Sequence, residues 1–276
     1  MRRVALPGGT SVPALGQGTW RMGEDASRRQ AEMEALRTGV ELGMTMIDTA
    51  EMYGEGETER FLAEALDGLR DQVFLVSKAY PQNAGRGRLE RACEASLRRL
   101  KTDRLDLYLL HWRGSVPLAE TVEGMEALRA AGKIAAWGVS NLDTADIDEL
   151  FRAGGEGCAT DQVLYNVARR GPEFDLLPAL EGRRIPLTAY SPVEQGRLPR
   201  RGALQAVAER RDATPAQVAL AWVLRRPDVI AIPKAGDVAH VHENRRAADL
   251  RLTTEDFAKI DAAFPPPARK TPLEML

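Results

Sequence analysis

Cysteine and histidine are scarce: two and three residues in a chain of 276. Cys93 and Cys158 are too few for a disulfide framework or a cysteine zinc site. His111, His240 and His242 do not make a histidine-rich centre, and His242-Glu243 lacks the second histidine of a zinc protease motif. No metal is expected. Excess charge is also missing, since 38 basic and 40 acidic residues leave −2. That balance points to neither a nucleic-acid nor an anionic-membrane partner. The longest apolar run, Val218 to Leu224, is far too short to span a bilayer. Arg2 and Arg3 are followed by Pro7, Gly8 and Gly9 rather than an apolar stretch, so no signal peptide is expected and the cytoplasm is the default. A Rossmann fingerprint is lacking, because Arg21 stands where Gly16-Gln17-Gly18 needs its third glycine. Gly132-Lys133 runs into Ile134, so there is no Walker loop, and no Gly-x-Ser-x-Gly elbow occurs.

What is present is an ordinary globular composition, 44% hydrophobic and 28% charged. Short apolar runs alternate with amphipathic stretches. Val73–Val76, Leu105–Leu110, Ile134–Val139 and Ile185–Ala189 read as buried strands. Leu89, Ala92, Cys93, Ser96, Leu97 and Leu100 form one helical face, which makes Cys93 a packing residue. Leu118, Val122, Met125 and Leu128 form another. Thr214-Pro215-Ala216-Gln217 is a capping box. Asp143, and Asp25 or Ser27, are candidate caps for two further helices. Strand ends fall near Asp48, Lys78, His111, Ser140, Tyr165, Tyr190 and Ile232. Such repeated βα units make a parallel sheet, and about eight of them close a barrel. A doubly wound open sheet is the rival. No linker divides the chain, so residues 1–276 read as one domain. Val4–Val12 is expected to form a hairpin before the first barrel strand. Thr253–Phe264 is expected to add a helix capped by Thr253 or Thr254.

Asp48, Lys78 and His111 each end an apolar strand, and Tyr53 follows Asp48 by five residues in a loop with Gly54 and Gly56. In a βα barrel those ends share the face that carries active sites. Each residue alone has a bland role as cap, surface charge or packing. Together they are a proton-transfer set. A phenol is a poor acid at neutral pH, and a nearby ammonium lowers its pKa. A carboxylate keeps that ammonium charged and oriented. Asp48–Lys78–Tyr53 is then a tuned proton donor, and a neutral His111 can aim a substrate oxygen at it. Protonating an oxyanion formed from a carbonyl requires a partner that delivers electrons, and nicotinamide hydride fits.

The chain resembles the aldo-keto reductase superfamily along nearly its whole length. The resemblance rests on Gly18-Thr19-Trp20, Ile47-Asp48-Thr49-Ala50 with Tyr53, Ser77-Lys78, and Asp106 to Trp112. It continues through Gly138-Val139-Ser140-Asn141, Tyr190-Ser191-Pro192, Ile232-Pro233-Lys234 and Glu243-Asn244. Order and spacing both match, and small bacterial members that reduce methylglyoxal and similar aldehydes are the most similar. The resemblance implies a (β/α)8 TIM barrel with an N-terminal hairpin and extra C-terminal helices. It implies Asp48, Tyr53, Lys78 and His111 as a catalytic tetrad, with Tyr53 as general acid. It implies NADPH bound in extended form, with Ser140, Asn141 and Gln162 on the nicotinamide carboxamide and Tyr190 stacked on the ring. Gly18, Thr19, Trp20, Ser191 and Pro192 belong to the matching cofactor stretches.

Lys234 matches the 2′-phosphate lysine, while Glu243 and Asn244 match residues around the adenine. Two positions depart from the pattern. Ala235 replaces a frequent serine, and His240 stands where many members have arginine. Histidine offers no permanent bidentate fork, but helps a phosphate when protonated. The expectation is NADPH preference with weakened discrimination against NADH, and NADPH affinity rising as pH falls. Trp20, Tyr80 and Trp112 are candidate pocket walls beside Tyr53 and His111, and the short span Trp112–Pro117 leaves the pocket open. Arg113 is read as a surface ion pair. A small carbonyl compound is the expected substrate and a monomer the expected state. Two rivals remain: a Schiff-base lyase using Lys78, and a binding module that holds NADPH without oxidising it.

Overall fold

The computed structural model describes residues 1–198 and 202–276. The chain opens with β1 (Arg3–Ala5) and β2 (Ser11–Pro13), paired antiparallel with Val4 opposite Val12. Then follow β3 (Gln17–Gly18), α1 (Arg29–Glu41), β4 (Met46–Asp48), α2 (Glu57–Ala65) and β5 (Phe74–Ala79). Next come α3 (Arg88–Leu100), β6 (Leu105–Leu110), α4 (Leu118–Ala130), β7 (Ile134–Ser140), α5 (Thr144–Arg152) and β8 (Cys158–Leu164). The second half continues with α6 (Leu176–Gly182), β9 (Leu187–Tyr190), α7 (Ala203–Arg210), α8 (Pro215–Val223) and β10 (Val229–Ala231). It ends with α9 (Val238–Ala247) and α10 (Thr254–Ala263). Among the described residues, no helix is long and apolar enough to cross a membrane.

Strands β3 to β10 are parallel and neighbour one another in chain order. The last meets the first through a parallel bridge between Leu15 and Ala231. Backbone N–H groups of Gly16 and Gly18 donate to Ala231 and Pro233 carbonyls at 2.9 and 3.1 Å. The sheet therefore curls into a barrel instead of remaining open, as successive strand–helix units dictate.

Burial follows the sequence pattern. The α3 face expected from spacing is the face that is buried, Cys93 included. Its large apolar side chains each gain about 1.5–3 kcal/mol from leaving water. They join a continuous layer between strands and helices. A second cluster fills the barrel's interior end: Val4, Leu6, Val12 and Ala14 pack against Met46, Val76, Leu107 and Ile230. The hairpin is thus a plug that closes the N-terminal mouth and leaves the opposite mouth for chemistry.

Local signals set the helix starts. Asp143 caps α5, accepting from the N–H groups of Ala145 and Asp146 at 2.8 and 3.0 Å. Thr214 with Gln217 caps α8, and Thr253, not Thr254, caps α10 with Asp256. The cap expected for α1 is absent: neither Asp25 nor Ser27 serves. Asp25 Oδ1 accepts from the Ser27 N–H and hydroxyl, which closes a turn just before Arg28, the residue at the N-cap of α1. Strand β9 starts at Leu187 instead of Ile185, because Pro186 has no N–H for the ladder. Strand β5 runs from Phe74 to Ala79, one residue past the expected end at Lys78.

Gly138 in β7 shows how tightly the barrel is drawn. A methyl group there would fall 2.6 Å from the Thr160 carbonyl oxygen and 3.0 Å from Leu109. At Gly182, nothing lies within 4 Å of the same group. We predict that Gly138→Ala costs about 1–3 kcal/mol in urea unfolding, whereas Gly182→Ala stays within about 0.5 kcal/mol of the parent or gains stability. Equal effects at both sites would contradict this packing.

Candidate active site

Neighbouring strands deliver the candidate catalytic groups in register. Gly18 pairs with Asp48, and Lys78 with Leu109, so β3 to β6 end side by side. Lys78 is fully buried, and its Nζ meets three acceptors. It donates to Asp48 Oδ2 at 2.7 Å, to the Thr49 carbonyl at 2.8 Å and to the Tyr53 hydroxyl at 3.2 Å. Three protons thus have three partners. The other Asp48 oxygen accepts from Gln162 Nε2 at 2.7 Å. Tyr53 begins a 3-10 turn, Tyr53–Gly56, that precedes α2 and carries its ring to the cleft floor.

Burial raises the Tyr53 hydroxyl pKa, and Asp48 adds to this; Lys78 opposes them. The expected effect of the lysine is present, but the net shift is upward, because desolvation of a phenolate outweighs one ammonium already paired with a carboxylate. Burial works against the Lys78 charge, yet Asp48 and Tyr53 overcome it and raise its pKa. A Schiff-base lysine needs a free neutral amine. This ammonium, committed on all three protons, does not offer one.

His111 is 8% exposed, and its pKa is pushed down to about 2 by burial and by Lys78. It is neutral. Its Nδ1 is buried without a hydrogen-bond partner among the described residues. A buried lone pair is cheaper to leave alone than a buried N–H, so the proton belongs on Nε2. The ring stands edge-on to Tyr53 at 6.1 Å and tilts against Trp112 at 4.8 Å.

Asn141 ties the mouth together. Its Nδ2 donates to the His111 carbonyl and to Ser140 Oγ, both at 3.1 Å, and its Oδ1 accepts from Tyr190 Oη at 3.1 Å. Ser140 Oγ donates to the Gln162 carbonyl at 2.7 Å. Asn141 and Ser191, just beyond β7 and β9, both have positive φ, at 57° and 47°. Backbone strain of this kind persists where the surroundings impose it, commonly at binding sites.

These groups floor a cleft of about 1030 Å³ that continues to the start of α9. Gly18, Thr19, Trp20, Ser140, Asn141, Gln162, Tyr190, Ser191 and Pro192 line it together with Asp48, Tyr53 and His111, while the fully buried Lys78 does not reach it. Lys234, His240, Glu243 and Asn244 line its far end, and Trp20 and Trp112 stand at the mouth. Tyr80 is a correction: it does not line the cleft. It packs edge-on against Trp112 at 5.8 Å, held by its N–H to Glu51, and so backs the wall instead of forming it. Arg113 pairs with Glu149 at 2.8 Å, as a surface ion pair would. His240 turns its Nδ1 to Asp237 Oδ2 at 2.6 Å, in the first turn of α9. Sequence reasoning missed Arg28, Met52, Val193 and the tail residues Met275 and Leu276, which also line the cleft. None belongs to a motif, so only the folded chain brings them in.

Residues 14–264 match the model of the aldo/keto reductase family. The chain belongs to the aldo/keto reductase family. It is 52% identical to the methylglyoxal reductase YeaE of Escherichia coli K12, over 100% of this chain and 99% of that protein. It is 33% identical to a glyoxal reductase of Bacillus subtilis, over 94% and 91% of the two chains. Its fold superposes on an aldo/keto reductase from Klebsiella pneumoniae, solved with NADP and acetate, with a TM-score of 0.97. That protein is 52% identical, with 100% and 99% of the chains covered. A second Klebsiella pneumoniae structure, with NADPH, is 53% identical with the same score and coverage. The chain is thus an oxidoreductase of the NAD(P)H-dependent aldo-keto reductase family.

The neutral His111 has a consequence for stability. Unfolded, the imidazole takes a proton below pH 6.5; folded, it does so only near 2. Its contribution is therefore complete above pH 6.5 and is lost as pH falls, at about 1.4 kcal/mol per unit. His111→Gln is expected to flatten the fall in urea stability between pH 6.5 and 5 by about 1–2 kcal/mol. An unchanged slope would mean that His111 is protonated in the native state.

Proposed function

We propose that this chain reduces small aldehydes, methylglyoxal among them, to alcohols with NADPH. The observation that carries the reading is the buried Lys78 bonded at once to Asp48 and to the Tyr53 hydroxyl, both of which line a long cleft. The 52% identity to a methylglyoxal reductase supports the substrate class.

The residues present fit a dinucleotide. Amide and hydroxyl groups of Ser140, Asn141 and Gln162 suit a carboxamide, and the Tyr190 ring suits a stacked nicotinamide. Lys234, some distance along the cleft, suits a phosphate. When bound, NADPH supplies the hydride that reaches the carbonyl carbon. The chain's own residues manage the oxygen. Tyr53 accepts a hydrogen bond from Lys78, so its own O–H is left to donate into the cleft. His111 Nε2–H donates to the same substrate oxygen and aims it. As charge grows on that oxygen, the Tyr53 proton crosses to it, and the phenolate left behind is held by Lys78. Solvent then restores the proton. Asp48 and Gln162 keep the ammonium in place throughout. Trp20 and Trp112 supply flat apolar walls at the mouth, enough for a small aldehyde.

The test is the loss of nicotinamide absorbance on mixing NADPH with methylglyoxal. Tyr53→Phe should cut turnover at least 10³-fold while the dissociation constant for NADPH stays within a few-fold. Turnover near the parent's would end this assignment. A parent enzyme that binds NADPH but oxidises it with no aldehyde or ketone would leave only a binding role.

A further inference from the structure

His240 leaves the far end of the cleft without the guanidinium that the family pattern expects there. The fold brings another from a distant part of the sequence. Arg28 precedes α1, lines the same cleft as Lys234, and is half-exposed to solvent. A methyl group placed on Gly236 would fall 2.6 Å from Arg28 Nη2 and 2.8 Å from Lys234 Nζ. Two cations thus flank one small space that only a glycine leaves open.

Glu32 holds them there. It is 2% exposed, and its Oε2 accepts the Gly23 N–H at 2.9 Å. Its Oε1 accepts from Lys234 Nζ at 3.3 Å and lies 4.0 Å from Arg28 Nε. The acid is oriented by the protein, and two cations beside one carboxylate leave a net positive charge for an anion. Of the other acids nearby, Asp237 is spent on the backbone N–H and ring of His240, Glu243 accepts from the Thr214 hydroxyl, and Asp25, beside Arg28, accepts from Ser27. A guanidinium and an ammonium on a common space are the combination that binds a phosphate monoester, one as a fork and one as a point charge.

We propose that Arg28 grips the adenosine 2′-phosphate together with Lys234, in the place of the missing arginine at 240, and thereby sets the preference for NADPH over NADH. This rests on the reading that the cleft binds NADPH. Glu32 is a positioning residue in this arrangement, and Gly236 provides the room.

The experiment measures dissociation constants by quenching of tryptophan fluorescence, with Trp20 and Trp112 as cleft reporters. The probes are NADPH, NADH, 2′,5′-ADP and 5′-ADP. Arg28→Ala should weaken NADPH and 2′,5′-ADP at least tenfold and leave NADH and 5′-ADP within about twofold. Arg28→Lys should recover part of the loss, since it restores charge but not the fork. Unchanged NADH binding reports that the variant is folded. If Arg28→Ala alters neither cofactor, or both equally, Arg28 is not the phosphate ligand. Lys234→Ala separates the two levels. A selective loss of NADPH there, with none in Arg28→Ala, removes only Arg28. No selectivity in the parent and no effect of Lys234→Ala would remove the NADPH reading and this proposal with it.

Discussion

The ion pair between Lys78 and Asp48 is the constraint on which the site depends. Burying two charges costs several kcal/mol per ion unless each finds partners. Here the 2.7 Å contact is completed on one side by the Thr49 carbonyl and the Tyr53 hydroxyl, and on the other by Gln162. Satisfying the lysine therefore fixes the tyrosine. The phenol proposed as the proton donor is the third acceptor of an ammonium that burial forbids to go unpaired. The buried ion pair and the proposed chemistry make the same demand on Tyr53.

The barrel makes that demand affordable. Asp48, Lys78 and Gln162 stand on three different strands, and parallel register puts their side chains at one mouth. The hairpin fills the other mouth with apolar side chains, so the polar network lies at only one end. Asn141 extends it to the His111 carbonyl and the Tyr190 hydroxyl, linking β7 and β9 to the residue after β6.

Much of this was legible in the sequence. Apolar runs ending in Asp48, Lys78 and His111 marked the strands and their chemical ends. The α3 face and the Thr214 capping box were readable because periodicity and capping act within one turn. The reading failed where long-range packing decides. Asp25 had the right chemistry for a cap but spent its oxygen on Ser27. Tyr80 had the right position for a wall but turned behind Trp112. The shift on Tyr53 depended on depth of burial, which no spacing reports. Arg28 and Lys234 lie at opposite ends of the chain, and only folding sets them beside Gly236.

The central claim is that Lys78 governs the proton on Tyr53. The direct measurement is the pH dependence of kcat/KM for methylglyoxal reduction by the parent and by Lys78→Gln, which keeps a hydrogen-bond donor but no charge. Lys78 opposes the upward shift on Tyr53, so removing its charge should move the alkaline limb to higher pH. The rate at neutral pH should fall at least a hundredfold. An alkaline limb that stays where it is in the variant would contradict the account.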